Sequence, residues 1–213
     1  MADVNIEQRV EALEKDNQSL RQEVARLRAD NRRWARLAGT DTLTGLPNKI
    51  SFLRALVPQC IRSAIDVGDS VGFILLSADN LGPLNEAHGR MAGDQVLKGL
   101  GTFLKAILDE EDRLGHIDGS NFSVVMTSAE LDDVRARANM LRARVRAHAF
   151  PCGTSTAQIT VSAGVVAVVP TDKTDEKVIT ESVFQSLSEA LYAAKAAGGN
   201  QVQVVQEVDL TSS

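Results

Sequence analysis

Residues 6 to 38 contain neither glycine nor proline, and apolar or amide side chains recur through them in alternating steps of four and three. Ile6, Leu13, Leu20, Leu27 and Trp34 share one heptad position, and Val10, Asn17, Val24, Asn31 and Ala38 share the other. With the leucine-rich set at d and the valine/asparagine set at a, this spacing predicts a parallel dimeric coiled coil over residues 1–39. Valine at a with leucine at d favours two parallel strands, and an asparagine at a pairs with its own copy across the dimer, giving register at a cost in stability. In such a pair each g residue meets the e residue five places later on the partner. Those pairs are Arg9 with Glu14, Asp16 with Arg21 and Glu23 with Arg28, all opposite in sign. Each exposed pair is worth only a few tenths of a kcal/mol, but none opposes self-pairing. The stripe is too narrow and too interrupted by asparagine for a helix lying on a membrane surface.

The heptads stop at Gly39-Thr40-Asp41, where glycine ends the helix and the polar pair opens a new segment. Residues 40–207 then read as one globular domain, with 208–213 a disordered tail. An amphipathic helix is expected from Asn48 or Lys49 to about Ile65, and a buried strand from Ser70 to Leu76. A helix from Pro83 or Leu84 to Leu108 follows, broken near Gly89 and Gly93. Next come a strand–turn–strand over residues 114–126 and a helix from Ala129 to about Ala149. A long β-branched strand, Ala157 to Val169, precedes a mobile polar loop from Thr171 to Glu176, a helix from about Glu181 to Ala197 and a last strand, Gln201 to Val205. This alternation predicts an α/β (α+β) sandwich, a central mixed sheet flanked by helices and preceded by the long N-terminal coiled-coil helix.

Bulk properties exclude several functions. A net charge of −5 offers no basic stripe for nucleic acid. No apolar run is long enough for a membrane span, and the early charges lack the layout of a secretory signal. Cys60 and Cys152 show no metal or redox spacing and read as reduced thiols, so the chain is expected to be cytoplasmic.

Five motifs fall in a telling order. They are Asp41-Thr42-Leu43-Thr44-Gly45-Leu46-Pro47-Asn48; Leu84-Asn85-Glu86 with Gly93-Asp94-Gln95; the hairpin turn Asp118-Gly119-Ser120-Asn121-Phe122; Thr160-Val161-Ser162-Ala163-Gly164-Val165; and Ala190-Leu191-Tyr192-Ala193-Ala194-Lys195 with Gly198-Gly199-Asn200. Together they resemble the GGDEF family, the diguanylate cyclases, over residues 41 to about 205. The resemblance implies a nucleotide-cyclase-like fold and an ancestral activity, the condensation of two GTP molecules into cyclic di-GMP with two magnesium ions across facing protomers.

That chemistry needs hard oxygen ligands, preferably carboxylates, to hold magnesium against the triphosphate. The positions that resemble the family's two metal ligands hold Ser77 and Ser120, and the neighbouring catalytic acid is replaced by Asn121. Gly82 and Gly199 stand where phosphate-contacting cations are common, Pro83 has no amide donor, and Lys195 alone persists. Asn85 and Asp94 match the family's guanine-contacting pair. The family's product-inhibition motif, Arg-x-x-Asp, corresponds to Asp109-Glu110-Glu111-Asp112, so no cyclic di-GMP binding is expected there. Asp79 and Asp118 lie two residues from the lost ligands. They suit a displaced metal site or, on the simpler reading favoured here, a helix cap and a tight turn.

The resulting expectation is a degenerate member without catalytic residues. It would act as a homodimeric scaffold or regulatory protein partner in bacterial cyclic di-GMP signalling, with no resident cofactor and magnesium only alongside residual GTP. The alternatives are a GTP sensor without turnover, using Asn85, Asp94 and Lys195, and an active cyclase with a displaced metal site.

Overall fold

The structure, a computed structural model, describes residues 13–27, 30, 38–171 and 175–208. The chain divides into two compact units, one ending at Gly39 and the other beginning at Thr40. In the first unit residues 13–27 are helical, and the expected stripe is open to solvent: Leu13, Leu20, Val24 and Leu27 are 62%, 61%, 43% and 59% exposed. The other expected coil contacts Ile6, Val10, Asn31 and Trp34 lie outside the described residues. So do 172–174 of the polar loop and 209–213 of the tail.

The second unit begins with a folded loop. Asp41 closes it by accepting from the Thr44 amide at 2.8 Å and the Thr44 hydroxyl at 2.7 Å, and its own amide donates to the Leu46 carbonyl. Asn48 caps helix α1 by accepting from the Ser51 amide at 3.0 Å. Helix α1 comprises the consecutive stretches Lys49–Ser51, Phe52–Leu56 and Val57–Val67, the middle one π-wound, and ends at Gly68 in the left-handed conformation.

Strand β1 (Val71–Ala78) is buried along its whole length, as a central strand covered on both faces must be. Helices α2 (Leu81–His88) and α3 (Arg90–Ile107) follow, then the hairpin β2 (Arg113–Asp118) and β3 (Asn121–Thr127). Helix α4 (Leu131–Ala147) leads to a small hairpin, β4 (Ala149–Cys152) with β5 (Ser155–Gln158). Strand β6 (Val161–Val168), helix α5 (Glu176–Ala196) and strand β7 (Val202–Val204) complete the unit. The five-stranded sheet runs β2-β3-β1-β6-β7, antiparallel throughout except for the parallel β6–β7 pair. This is the expected mixed sheet between helical layers.

Alternation along β1 divides the core. Ile74, Leu76 and Ala78 join Val96, Leu100, Leu104 and Leu141 of α3 and α4 on one face. Val71, Phe73 and Leu75 join Ile61 of α1 and Ile179, Val183 and Leu187 of α5 on the other. Helix α5 lies so close to β6 that a Cβ at Gly164 would come within 2.6 Å of the Leu187 carbonyl oxygen. Among the described residues no helix is long and apolar enough to cross a membrane.

Four expectations need correction. Helix α2 starts at Leu81 rather than at Pro83 or Leu84, because Asn80 turns left-handed (φ 56°) at once after β1. The helical break is at Gly89 alone, and Gly93 lies inside α3. The long strand from Ala157 is interrupted at residues 159–160, and its first part pairs with β4 in a hairpin that the pattern did not announce. Helix α5 begins at Glu176, five residues before Glu181, where the Asp175 carboxylate caps it by accepting from the Lys177 amide at 2.7 Å.

Candidate functional site

The sheet register assembles one polar site at the C-terminal end of β1. Ser77 lies opposite Asn121 of β3 on one side and Ser162 of β6 on the other. The turn at Gly119 and Ser120 folds over the strand end, and the Ala78 amide donates to the Ser120 carbonyl at 3.1 Å. That register brings together the two positions expected to have lost metal ligands. The Ser77 and Ser120 hydroxyl oxygens are 2.8 Å apart, and the exposed Lys195 near the end of α5 donates from Nζ to Ser77 Oγ at 2.7 Å.

This donor set does not fit magnesium. Divalent magnesium needs oxygen lone pairs arranged octahedrally, with carboxylate charge to offset its own. Here both oxygens are neutral hydroxyls, one is committed to an ammonium group, and that ammonium would repel a metal ion. Among the described residues no group of three or more His, Cys, Asp or Glu side chains is placed to hold a metal.

The two remaining acids are committed elsewhere. Asp79 does not cap α2, as the sequence suggested. It is turned inward, accepting from the Thr160 hydroxyl at 2.7 Å, the Ser162 hydroxyl at 2.8 Å and the Asn200 amide at 2.9 Å. It therefore ties β1 to β6 and to the turn after α5. Gly199 closes that turn with φ 73°, and a Cβ there would meet the Asp79 carboxylate at 3.2 Å, so the small residue suits the lock. Arg142 of α4 grips the same turn through the Asn200 carbonyl (3.2 Å) and side-chain oxygen (3.1 Å). Asp118 accepts from the Asn121 amide group at 2.7 Å and pairs with Lys49 at 3.5 Å. Asn121 thus braces the hairpin turn.

The two residues that match the family's guanine contacts, Asn85 and Asp94, are split in character. Asn85 of α2 packs on Gly93 of α3, where a Cβ would fall 1.8 Å from Asn85 Oδ1. That oxygen is buried with no hydrogen-bond partner, a situation that costs about 1–3 kcal/mol when left unrelieved. Asp94, the residue after Gly93 on α3, is exposed.

Two residues passed over in the sequence prove structural. His116, 7% exposed, sets Nδ1 2.9 Å from Asp41 Oδ1 and Nε2 3.0 Å from the Gly119 carbonyl, so it joins the opening loop to the hairpin tip. Arg137 of α4 bridges Asp109 and Asp112, at 2.8 Å from the latter, and so pairs with two of the four acids in the stretch that resembles the product-inhibition motif. Burial pushes the Asp112 carboxyl up even though Arg137 pulls against it.

Asp41 shows the opposite balance. Burial raises its pKa, but the Thr44 hydroxyl, the Thr44 amide and then His116 together hold it below the ordinary 3.8. A depressed carboxylate stabilises the fold above its unfolded-state pKa, and that stabilisation is lost as the pH falls through the folded value. Urea midpoints of the native chain and of Asp41→Asn should therefore differ at neutral pH and converge below about pH 4. A gap that persists undiminished in acid would show that ionised Asp41 contributes nothing.

A sequence profile for the diguanylate cyclase GGDEF domain matches residues 38–201. Diguanylate cyclase DgcP of Pseudomonas aeruginosa is 32% identical over 165 residues, which are 78% of this chain and 24% of that protein. Response regulator PleD of Caulobacter vibrioides is 29% identical over 168 residues, 78% of this chain and 36% of that protein. The chain thus spans between a quarter and about a third of these relatives' lengths. Among solved structures, the coiled coil and GGDEF domain of DgcB from Caulobacter crescentus, in complex with c-di-GMP, has a TM-score of 0.75 at 24% identity. That match covers 91% of this chain and 99% of that one.

Proposed function

The chain belongs to the GGDEF family of diguanylate cyclase domains, and from that membership we propose that it is a non-catalytic member, a dimeric scaffold or regulatory partner in bacterial cyclic di-GMP signalling. The observation that carries this reading is the Lys195–Ser77–Ser120 chain of hydrogen bonds in the place of the metal ligands. Attack of a 3′-hydroxyl on an α-phosphate requires metal charge at that point to position the reacting oxygens and to neutralise the triphosphate. An active cyclase with a displaced metal would have to use Asp79 and Asp118, and both carboxylates are already engaged.

What such a domain retains is an intact fold and a helix to pair through. The second copy is the natural occupant of the stripe formed by Leu13, Leu20, Val24 and Leu27, because the charges flanking that stripe complement one another in a parallel pair. Cytoplasmic residence and a separate protein partner belong to the same reading. The full chain incubated with GTP and Mg²⁺ or Mn²⁺ is expected to yield no cyclic di-GMP by chromatography. Product formation that depends on this protein would sink the non-catalytic reading.

A second reading, a guanine-nucleotide sensor without turnover, is favoured by one observation. The orphaned Asn85 Oδ1 beside Gly93 lacks a donor, and the N–H edge of a guanine base is the kind of donor that would satisfy it.

A further inference from the structure

Both ring nitrogens of His116 face oxygens that accept. Nε2 lies 3.0 Å from the Gly119 carbonyl, which has no proton to offer, so Nε2 carries one. Nδ1 lies 2.9 Å from Asp41 Oδ1, and that oxygen already accepts from the Thr44 amide and the Thr44 hydroxyl. Three converging donors suit an ionised carboxylate, which only accepts, so Nδ1 carries a proton as well. The ring is therefore an imidazolium, 7% exposed, held between the opening loop and the hairpin tip. The other charges on the segments around it are engaged or solvated. Lys49 of α1 and Asp118 at the end of β2 pair with each other, and Arg113 of β2 donates to the Glu110 and Glu111 carbonyls. Lys98 and Lys105 of α3, which meets the opening loop at Gly101, are exposed. Strand β3 contributes the uncharged Phe122 ring, 4.7 Å away between centres.

We infer that His116 is a proton-dependent latch on the hairpin tip, closed while the ring carries both protons and open when it holds one. A neutral imidazole has one N–H and one lone pair, so it cannot satisfy both oxygens. The remaining proton stays at Nδ1, because a hydrogen bond to a carboxylate is about twice as strong as one to a neutral carbonyl. Nε2 then turns a lone pair on the Gly119 carbonyl, and the buried ring leaves little room for water between them. The tip is the side that yields. Asp41 is fixed by Thr44 and by its own amide's bond to the Leu46 carbonyl, whereas Gly119 is exposed. Stabilisation of the tip is thus present in acid and lost as the pH rises through the range in which imidazoles change charge, about 5 to 8. Movement of the tip carries Ser120 with it, and so strains the Ser77–Ser120 and Ala78–Ser120 bonds at the end of β1. The latch goes beyond the proposed function and depends on neither nucleotide nor partner.

Long-range proton–nitrogen NMR of the imidazole rings in the full chain, from about pH 5 to about pH 9, tests it. Before the transition His116 should show two protonated ring nitrogens, and after it Nδ1 alone. The Gly119 and Ser120 amide signals should shift on the same curve while that of Thr44 stays in place. Protection of the Ala78 amide, corrected for base-catalysed exchange, should fall about fivefold across the transition, the worth of one hydrogen bond. His116→Arg keeps its charge and its N–H donors throughout. It should abolish the titration of the tip, while the exposed His88 and His148 continue to titrate. A His116 ring with one protonated nitrogen at the acid end, loss of the proton from Nδ1, or tip signals that titrate equally in His116→Arg would overturn the inference. Should the arginine variant fail to fold, the ring nitrogens and tip amides of the native chain decide the matter alone.

Discussion

Replacing Asp79 by alanine is expected to lower the stability of the second unit by about 3 kcal/mol, the largest loss from any single polar side chain at the candidate site. The change strands three donors at once: the buried Ser162 hydroxyl, the Thr160 hydroxyl and the Asn200 amide. Hydroxyls can rotate in search of water, but a backbone amide fixed by its turn cannot, and Ser162 has no solvent path. The turn after α5 should loosen together with the β1–β6 junction, because one carboxylate holds both. Asp118→Ala is the control. Asp118 is 56% exposed and its partner Lys49 equally so, and loss of that surface pair together with the exposed hydrogen bond from Asn121 costs about 1 kcal/mol or less. Urea unfolding followed by circular dichroism would separate the two variants. Equal, small losses would mean that Asp79 is not committed to the scaffold, and would restore it as a candidate metal ligand.

This expected difference marks where the sequence was legible and where it was not. The burial of β1, the hairpin around Gly119 and the apolar face of α3 follow from local periodicity, which needs no knowledge of distant residues. The loss of both metal ligands could be read because Ser77 and Ser120 stand at fixed offsets within motifs. Their mutual hydrogen bond and the approach of Lys195 could not, since they join residues 43 and 118 positions apart. Asp79 was misread for the same reason. An acid ahead of a helix has the pattern of a cap, but Thr160, just before β6, and Ser162 on it reach it from 81 and 83 residues later and turn it inward. Arg137 left no local signal because its partners are 25 and 28 residues away on another element. His116 looked like an ordinary polar position until the opening loop closed beside it. The β4–β5 hairpin escaped because both strands are short and one contains Pro151, a residue that argues against a strand unless it lies at an edge.

The N-terminal stripe carries the other large prediction. Leu13→Glu combined with Leu20→Glu is expected to convert a dimer into a 22.9-kDa monomer in light scattering. Both leucines are more than half exposed in the single chain, so their substitution removes nothing from its internal packing. In a parallel pair each would face its own copy at a d position, and a buried leucine contributes about 2 kcal/mol. Four such side chains per dimer amount to about 8 kcal/mol of association free energy, several orders of magnitude in the dissociation constant, before the repulsion between facing carboxylates is added. Asn17 acts in the other direction. Replacing it by valine should tighten association while relaxing register and strand number, because a buried amide pair is satisfied only in the aligned dimer. Thermal unfolding of the second unit should be unaltered by the Leu13/Leu20 change if the two units are energetically separate. A mass unchanged by the double glutamate substitution would show that the stripe does not pair, and the scaffold would then need some other surface to bring two copies together.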